Sequence, residues 1–464
     1  MYSAYVTTLT NVRPHPNADR LQLADCFGNT VCVGLNAANG DKVIYFPTDG
    51  QLSVEYCAQN DLVRRKDENG NPAGGYLDPE KRNVRAIRLR GEKSDGITMP
   101  LESLTYTGVD ITTLTIGPLP SVVNGHEICQ KYIPKTNAKS YMGGAVNKTR
   151  KKKVAVAPLF AEHADTEQLA YNLSSFHPGD EIEITLKMHG TSQRTGYLPV
   201  LKGYKRTLWD RITHKEGKPI YDWGYVSGTR RVVLDSYDGG FYGDNQFREQ
   251  HSKIFEGKLM KGETVYYEVV GFTTNGTPIM SDASNKKLND KEFIKQYGET
   301  TRFSYGCKPF EEIEARGGKG QEPVLEHWPQ SDIYVYRMTM TNEDGFVVDY
   351  HPNFMRYRCE QMGVKCVPVL WKGFIPEHPG SKDDPTITAG EWVKNVAELY
   401  YDGPDPVGKT HVREGVVIRI VDRPKFAAYK HKNFNFKVLS GIAIAEAAES
   451  GALDTIDADL LAEM

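Results

Sequence analysis

The sequence predicts an α+β protein in which a small N-terminal β-barrel precedes a larger mixed domain. Three observations predict it. The chain has 464 residues, more than one hydrophobic core usually organises. The first 120 or so residues carry short strand-like runs broken by turn residues, with no long helical periodicity. From about residue 154 strand-like runs return, now separated by long polar, Gly/Pro-rich stretches.

In the N-terminal part, Val31-Cys32-Val33-Gly34-Leu35, Lys42-Val43-Ile44-Tyr45-Phe46 and Val84-Arg85-Ala86-Ile87-Arg88-Leu89 have β-branched or alternating character. Gly28-Asn29, Asn39-Gly40 and Asp49-Gly50 punctuate them as turns. Residues 121–153 read as a linker that ends in the basic run Lys148-Thr149-Arg150-Lys151-Lys152-Lys153. The larger domain spans 154–440, with strands expected at Glu181–Leu186, Val265–Val270, Ile333–Met338 and Gly415–Ile420. The stretches 272–330 and 372–410 read as loops or insertions, and the Ala-rich tail 441–464 as a short helix.

Composition narrows the function classes. Hydrophobic residues are 39% and charged residues 25%, an ordinary globular balance. Lys+Arg (57) nearly equals Asp+Glu (60), a net charge of −3, so nucleic-acid contact must come from local patches and not from a global field. The N-terminus lacks a signal-peptide pattern, and no run reaches the ~18 apolar residues of a membrane span. The expectation is an intracellular, cytoplasmic protein, cellular or phage-encoded, with no membrane association and no obligate protein partner evident. Seven cysteines without a C-x-x-C pair read as buried thiols, neither a disulfide framework nor a zinc site.

The sharpest chemical feature is Lys187-Met188-His189-Gly190-Thr191-Ser192, directly after a predicted strand. A lysine there can attack the α-phosphate of a nucleotide, and Gly190 lets the backbone turn tightly beside it. Alone, the hexapeptide also fits a surface lysine in a strand-to-loop turn. Other residues follow in order. Glu268 is a carboxylate inside the apolar run Tyr266-Tyr267-Glu268-Val269-Val270. Tyr336 sits in Tyr334-Val335-Tyr336-Arg337-Met338, as core or as a platform for a purine. Glu414 opens Glu414-Gly415-Val416-Val417-Ile418. Lys430 and Lys432 fall on one face of an alternating stretch, where two ammonium groups suit a triphosphate.

These elements, in this order, resemble motifs I, III, IIIa, IV and V of the covalent nucleotidyltransferases: DNA ligases, RNA ligases and mRNA capping enzymes. Lys-x-His-Gly-Thr at 187–191, Tyr-Val-Tyr at 334–336 and Lys-His-Lys at 430–432 are most similar to the RNA ligases. The N-terminal Val12-Arg13-Pro14-His15-Pro16-Asn17-Ala18-Asp19-Arg20-Leu21 and the segment Arg85–Gly96 resemble tRNA-binding OB modules. An OB module ahead of the ligase domain resembles the Deinococcus/Naegleria-type ATP-dependent RNA ligases. The resemblance implies an OB fold over 1–120 and, over 154–440, ATP-grasp-like antiparallel sheets with helices. The chain departs from the pattern in inserts at 193–226, 272–330 and 372–410.

The resemblance also implies roles. Lys187 takes AMP from ATP, and His189 serves later steps. Glu268 and Glu414 hold Mg²⁺ or Mn²⁺, or Glu268 bonds the ribose. Arg230 and Arg231, in Ser227-Gly228-Thr229-Arg230-Arg231, contact phosphate. With Gly190 and Tyr336, these residues and the lysine pair form the nucleotide site. Lys430, Lys432 and the metal press Lys187 toward its neutral amine. Lys437 is a second candidate for the lysine of motif V. The implied activity is sealing of a 3′-hydroxyl to a 5′-phosphate in RNA, at nicks in duplex RNA or RNA/DNA hybrid. A DNA ligase or an mRNA guanylyltransferase is the alternative enzyme. A non-catalytic OB-fold RNA-binding protein with an inactive ligase domain is the alternative outside enzymes.

Overall fold

The computed structural model describes residues 2–133, 155–164, 166–207, 217–230, 232–234, 237, 245–309, 328–380, 386–423 and 425–441. The basic run 148–153, Arg231 and the tail beyond residue 441 lie outside the described residues. Contacts cluster into two units. The first comprises residues 1–135, 286–290 and 434–445; the second holds the rest.

The expected strands of the first unit form at Asn29–Val33, Lys42–Phe46 and Ala86–Leu89. Lys42–Phe46 is central in a four-stranded antiparallel sheet with Ile97–Pro100, Ala4–Thr8 and Gly117–Leu119. Thr10–Pro14, Gln22–Cys26 and Asn29–Val33 make a separate three-stranded meander. In the stretch read as a linker, Val122–Val123 pairs with His126–Glu127, and Cys129–Lys131 with Gly50–Leu52. The His15–Arg20 segment does structural work. His15 is buried, its ring accepts the Asn17 N–H at 3.0 Å, and its Nε2 lies 3.1 Å from the Leu89 carbonyl. Asn17 Nδ2 donates to the Arg90 carbonyl at 2.9 Å, so this motif clamps the Ala86–Leu89/Glu92–Asp95 hairpin. Lys437 belongs to this unit and is ion-paired with Asp95, which accounts for it without a role in the lysine pair of motif V.

Two mainly antiparallel sheets build the second unit; Lys365–Cys366 joins the first in parallel with Ser331–Thr341, and Glu167–Gln168 joins the second in parallel with Ala427–Lys432. Sheet one orders β3–β2–β4–β5–β6: β2 Thr191–Lys205, β3 Lys218–Gly228, β4 Glu263–Gly271, β5 Ser331–Thr341 and β6 Val347–Asp349. Sheet two orders β9–β8–β1–β7: β1 Glu181–Leu186, β7 Val369–Phe374, β8 Gly415–Ile420 and β9 Ala427–Lys432. Val265, Tyr267, Val269, Ile333 and Val335 bury one face of sheet one, beside helices α1 Gln246–Lys253 and α2 Pro352–Met362. Ile182, Ile184, Val416, Ile418 and Ile420 bury one face of sheet two against α3 Ala389–Glu398. The alternation of strands then sends Glu268 on β4, and Lys430 and Lys432 on β9, to the faces away from those cores.

The inserts are more regular than their polarity suggested. The 193–226 stretch is the long β2–β3 hairpin, with Arg194 paired to Gly228 and Lys205 to Lys218. The 372–410 stretch contains α3, started by a capping box in which Thr388 and Glu391 satisfy each other's backbone N–H groups. The 272–330 stretch contains the helix Lys291–Tyr297. The polar faces of these elements hid their period. No described helix is long and apolar enough to cross a membrane, and all seven cysteines are free thiols, five of them buried.

Candidate functional site

Lys187 follows the last residue of β1. Its backbone N–H donates to the Gly415 carbonyl at 3.0 Å, which joins the nucleophile candidate to the start of β8. Gly415 has φ +146°, and a Cβ there would meet the His431 carbonyl oxygen at 2.2 Å, so only glycine lets β8 pass β9 at this point. Glu414, one residue earlier, is 2% exposed. Its Oε1 lies 2.9 Å from Lys187 Nζ and 3.4 Å from Lys432 Nζ. Its Oε2 lies 3.6 Å from His189 Nδ1 and has no closer hydrogen-bond partner among the described residues. Burial alone would raise the Glu414 carboxyl, but Lys187, Lys432 and His189 hold it well below the usual carboxylate range.

Lys430 completes the cluster. Burial, followed by the charges of Lys432, Lys187 and Arg230, pushes its ammonium down to about 8. Lys187 itself is ion-paired with Glu414. The period-2 reading of β9 holds. Tyr429 packs in the core of sheet two and His431 stacks on Tyr401 at 4.7 Å, leaving the two lysines on the other face.

Gly190 turns against protein. A Cβ there would meet the Val269 carbonyl oxygen at 2.3 Å and Glu268 Cγ at 3.0 Å, so the loop after Lys187 lies directly on β4. Glu268 is half-buried, opposite Ser192 on β2 and Tyr334 on β5. The register between β4 and β5 pairs Tyr266 with Arg337 and Tyr267 with Val335, which leaves Tyr336 as the extra residue of a β-bulge. A bulge re-aims its side chain. Tyr336 Oη is 2.7 Å from Ser192 Oγ, and its ring stands 5.0 Å from that of His163. Arg230, two residues past the end of β3, charges the surroundings of Lys430 and accepts the His163 N–H on its carbonyl at 3.4 Å.

Several neighbours carried no motif signal. Tyr305 Oη accepts the backbone N–H of His189 at 2.7 Å, and the His189 ring meets Phe303 edge-on at 4.7 Å. His411 packs on both aromatic rings, at 5.1 and 4.7 Å. Burial, then the charges of Asp405, Glu414 and Glu268, push the Tyr305 phenol well above its ordinary value. Both carboxylates therefore bear on one buried hydroxyl. The alternation Thr301-Arg302-Phe303-Ser304-Tyr305-Gly306-Cys307, with every odd position buried, was the available signal. His163 lies 24 residues before Lys187 in a segment without a motif.

Arranged in this way, the site offers a lysine amine at a strand end, an acidic group beside it, and two lysines two strands away in the same sheet. Among the described residues no three His, Cys, Asp or Glu side chains converge to hold a metal by themselves. The buried Glu414 Oε2, with no partner closer than His189 among the described residues, is a hard oxygen donor, and it fits a divalent cation that takes its remaining ligands from phosphate and water.

No protein-family model matches the chain, and no curated protein does. Solved structures of the RNA ligase from Naegleria gruberi do match. A lysine-to-methionine mutant with AMP and Mn superposes with TM-score 0.53 at 14% identity, covering 94% of this chain and 97% of that one. A glutamate-to-alanine mutant with ATP and Mn gives 0.53 at 15%, covering 94% and 98%. The same enzyme with PPi gives 0.51 at 15%, covering 93% and 97%. At this identity the likeness establishes the fold: this chain has the α+β architecture of an RNA ligase.

Proposed function

We propose that this protein is an ATP-dependent RNA ligase that carries AMP on Lys187 and seals a 3′-hydroxyl to a 5′-phosphate, at nicks in duplex RNA or RNA/DNA hybrid. The observation that carries the reading is the juxtaposition of Lys187, Glu414, Lys430 and Lys432, in an architecture shared with an enzyme solved with ATP, AMP and Mn.

In the first step the Lys187 amine attacks the α-phosphorus of ATP. The bond to the β-phosphate breaks, pyrophosphate leaves, and the proton of the attacking amine is lost to solvent. Lys430 and Lys432 face the incoming phosphates and offset the charge that builds there. Arg230 adds a guanidinium fork, with Arg231 beside it in sequence. Glu414 and Glu268 are the residues that would hold Mg²⁺ or Mn²⁺; the ion supplies further neutralisation of phosphate charge. His189, fixed by Tyr305, Phe303 and Glu414, serves the steps in which AMP passes to the 5′-phosphate and the 3′-hydroxyl displaces it. Tyr336, aimed by its bulge, forms one wall of the nucleoside pocket. The first unit, read as the OB module, and the basic run 148–153 grip the duplex by its backbone, a salt-sensitive contact.

Incubation with α-labelled ATP and Mn²⁺, then denaturing electrophoresis, tests the reading. The wild-type chain is expected to become labelled, with an acid-labile, alkali-stable bond. GTP is expected not to replace ATP, which separates a ligase from a guanylyltransferase. Lys187→Ala is expected to remain unlabelled, and label retained in that variant refutes the assignment.

A further inference from the structure

His163 bridges the inner faces of the two sheets of the second unit. Its ring stands 5.6 Å from Tyr266 and 5.0 Å from Tyr336 on sheet one, and 5.8 Å from Phe426 at the approach to β9. The segment that carries it is held firmly. Arg194, 1% exposed, donates to the carbonyls of Phe160 and Ala161 and lies over the Phe160 ring at 4.2 Å. Tyr266 Oη donates to the Ala161 carbonyl at 3.0 Å. His163 itself donates its backbone N–H to the Arg230 carbonyl. An imidazole in this setting is fixed in place and in orientation.

Its protonation follows from its neighbours. Burial comes first, and then Arg337, Arg230, Arg194 and Lys187 disfavour a positive charge, so the ring is neutral. A neutral imidazole carries one proton. Arg337 Nη1 lies 3.4 Å from Nδ1, and a guanidinium can only donate, so Nδ1 accepts and the proton sits on Nε2. Among the described residues Nε2–H meets no hydrogen-bond acceptor. The site thus contains a rigid, uncharged N–H donor beside Tyr336 and within electrostatic reach of Lys187 and Arg230.

From this placement we infer that His163 is a nucleotide-contacting specificity residue, whose Nε2–H donates to an acceptor on the nucleoside half of the bound nucleotide, a purine ring nitrogen or a ribose oxygen. The inference rests on the proposed ligase reading for the identity of the nucleotide. A neutral donor suits this half of the ligand. The phosphate half has its cations in Lys187, Lys430, Lys432 and Arg230, and a group at that end gains most from charge. A donor locked by packing also loses little entropy on binding. Removing it discriminates by leaving the ligand's acceptor without a partner.

The test uses the full chain with His163→Phe, which keeps the ring packing and removes the donor, and His163→Gln, which restores an N–H near the Nε2 position. ATP binding is measured directly by calorimetry, and adduct formation as KM and kcat for ATP. His163→Phe is expected to weaken ATP binding and raise KM about fivefold to tenfold, with kcat within about threefold, as for one lost neutral hydrogen bond. His163→Gln is expected to recover most of the loss. The panel 7-deaza-ATP, 3-deaza-ATP and 2′-deoxy-ATP identifies the acceptor. One analogue is expected to bind the wild type as poorly as ATP binds His163→Phe, and to cost that variant nothing further. Wild-type ATP affinity in a His163→Phe protein of unchanged melting temperature overturns the inference. So does an equal analogue penalty in both proteins. A wild type that binds ATP with this dependence on His163 but forms no adduct leaves the inference standing and refutes the ligase reading.

Discussion

Replacing Lys430 by methionine is expected to make the protein more stable while impairing adenylylation. Methionine matches the unbranched stem of lysine and removes the charge. The native site lowers the Lys430 ammonium from 10.5 to about 8, with burial the largest cause and Lys432, Lys187 and Arg230 following. A fall of 2.5 at about 1.4 kcal/mol per tenfold in proton affinity gives roughly 3 kcal/mol as an upper bound. Lys430 is only partly buried, and solvent screening reduces the cost to about 1–2 kcal/mol. The sign follows from linkage. Below about pH 8 the lysine is charged in both native and unfolded chains, so the native state bears the whole cost. Between about 8 and 10.5 the native lysine gives up its proton first, wild-type stability rises with pH, and the cost fades. Thermal melts of the wild type and Lys430→Met at pH 7 and pH 10 measure it. The variant is expected to melt roughly 2–8 °C higher at pH 7, at about 2–4 °C per kcal/mol, and the gap is expected to close toward pH 10. Groups remote from Lys430 that titrate over this range do so in both proteins and cancel in the difference, whereas the coupling of Lys430 to Lys432 and Lys187 is part of what the difference measures. A variant that melts at or below the wild type at pH 7, or a gap of the same size at both pH values, refutes the reasoning. Adenylylation is expected to fall in the same variant, the stability–function opposition that a charged, partly buried site produces.

Two further perturbations follow from the geometry. Gly190→Ala forces a Cβ within 2.3 Å of the Val269 carbonyl oxygen, so β4 or the loop after Lys187 must shift; a loss of about 1–3 kcal/mol in denaturant unfolding, with weaker adduct formation, is expected, and an unchanged midpoint contradicts it. Tyr305→Phe leaves the His189 N–H without its acceptor and is expected to cost about 1–3 kcal/mol and to slow ligation of pre-adenylylated ends; wild-type ligation at unchanged stability shows that the phenol does not position His189.

The sequence by itself determined what local periodicity and motif order can encode. Alternation along Tyr429-Lys430-His431-Lys432 placed both lysines on one face, because Cβ direction in a strand depends on position alone. Gly190 after Lys187 marked a tight turn, and Glu268 stood out as a carboxylate inside an apolar strand. The turn residues of the first unit likewise fell at strand ends that formed. Only the tertiary structure decided which groups meet. Glu414 is 227 residues from Lys187 in the chain, and pairing of β1 with β8 brings its carboxylate to 2.9 Å from the amine. Tyr336 looked like any strand aromatic until the register with β4 made it the bulged residue. The insert at 193–226 proves to be the long β2–β3 hairpin, and the 372–410 stretch, which reads as loop or insertion, contains α3, because packing overrode composition. Phe303, Tyr305 and His163 come from segments with no motif; the alternation at 301–307 signals burial, but which groups those rings meet is fixed by the packing of residues far apart in the chain.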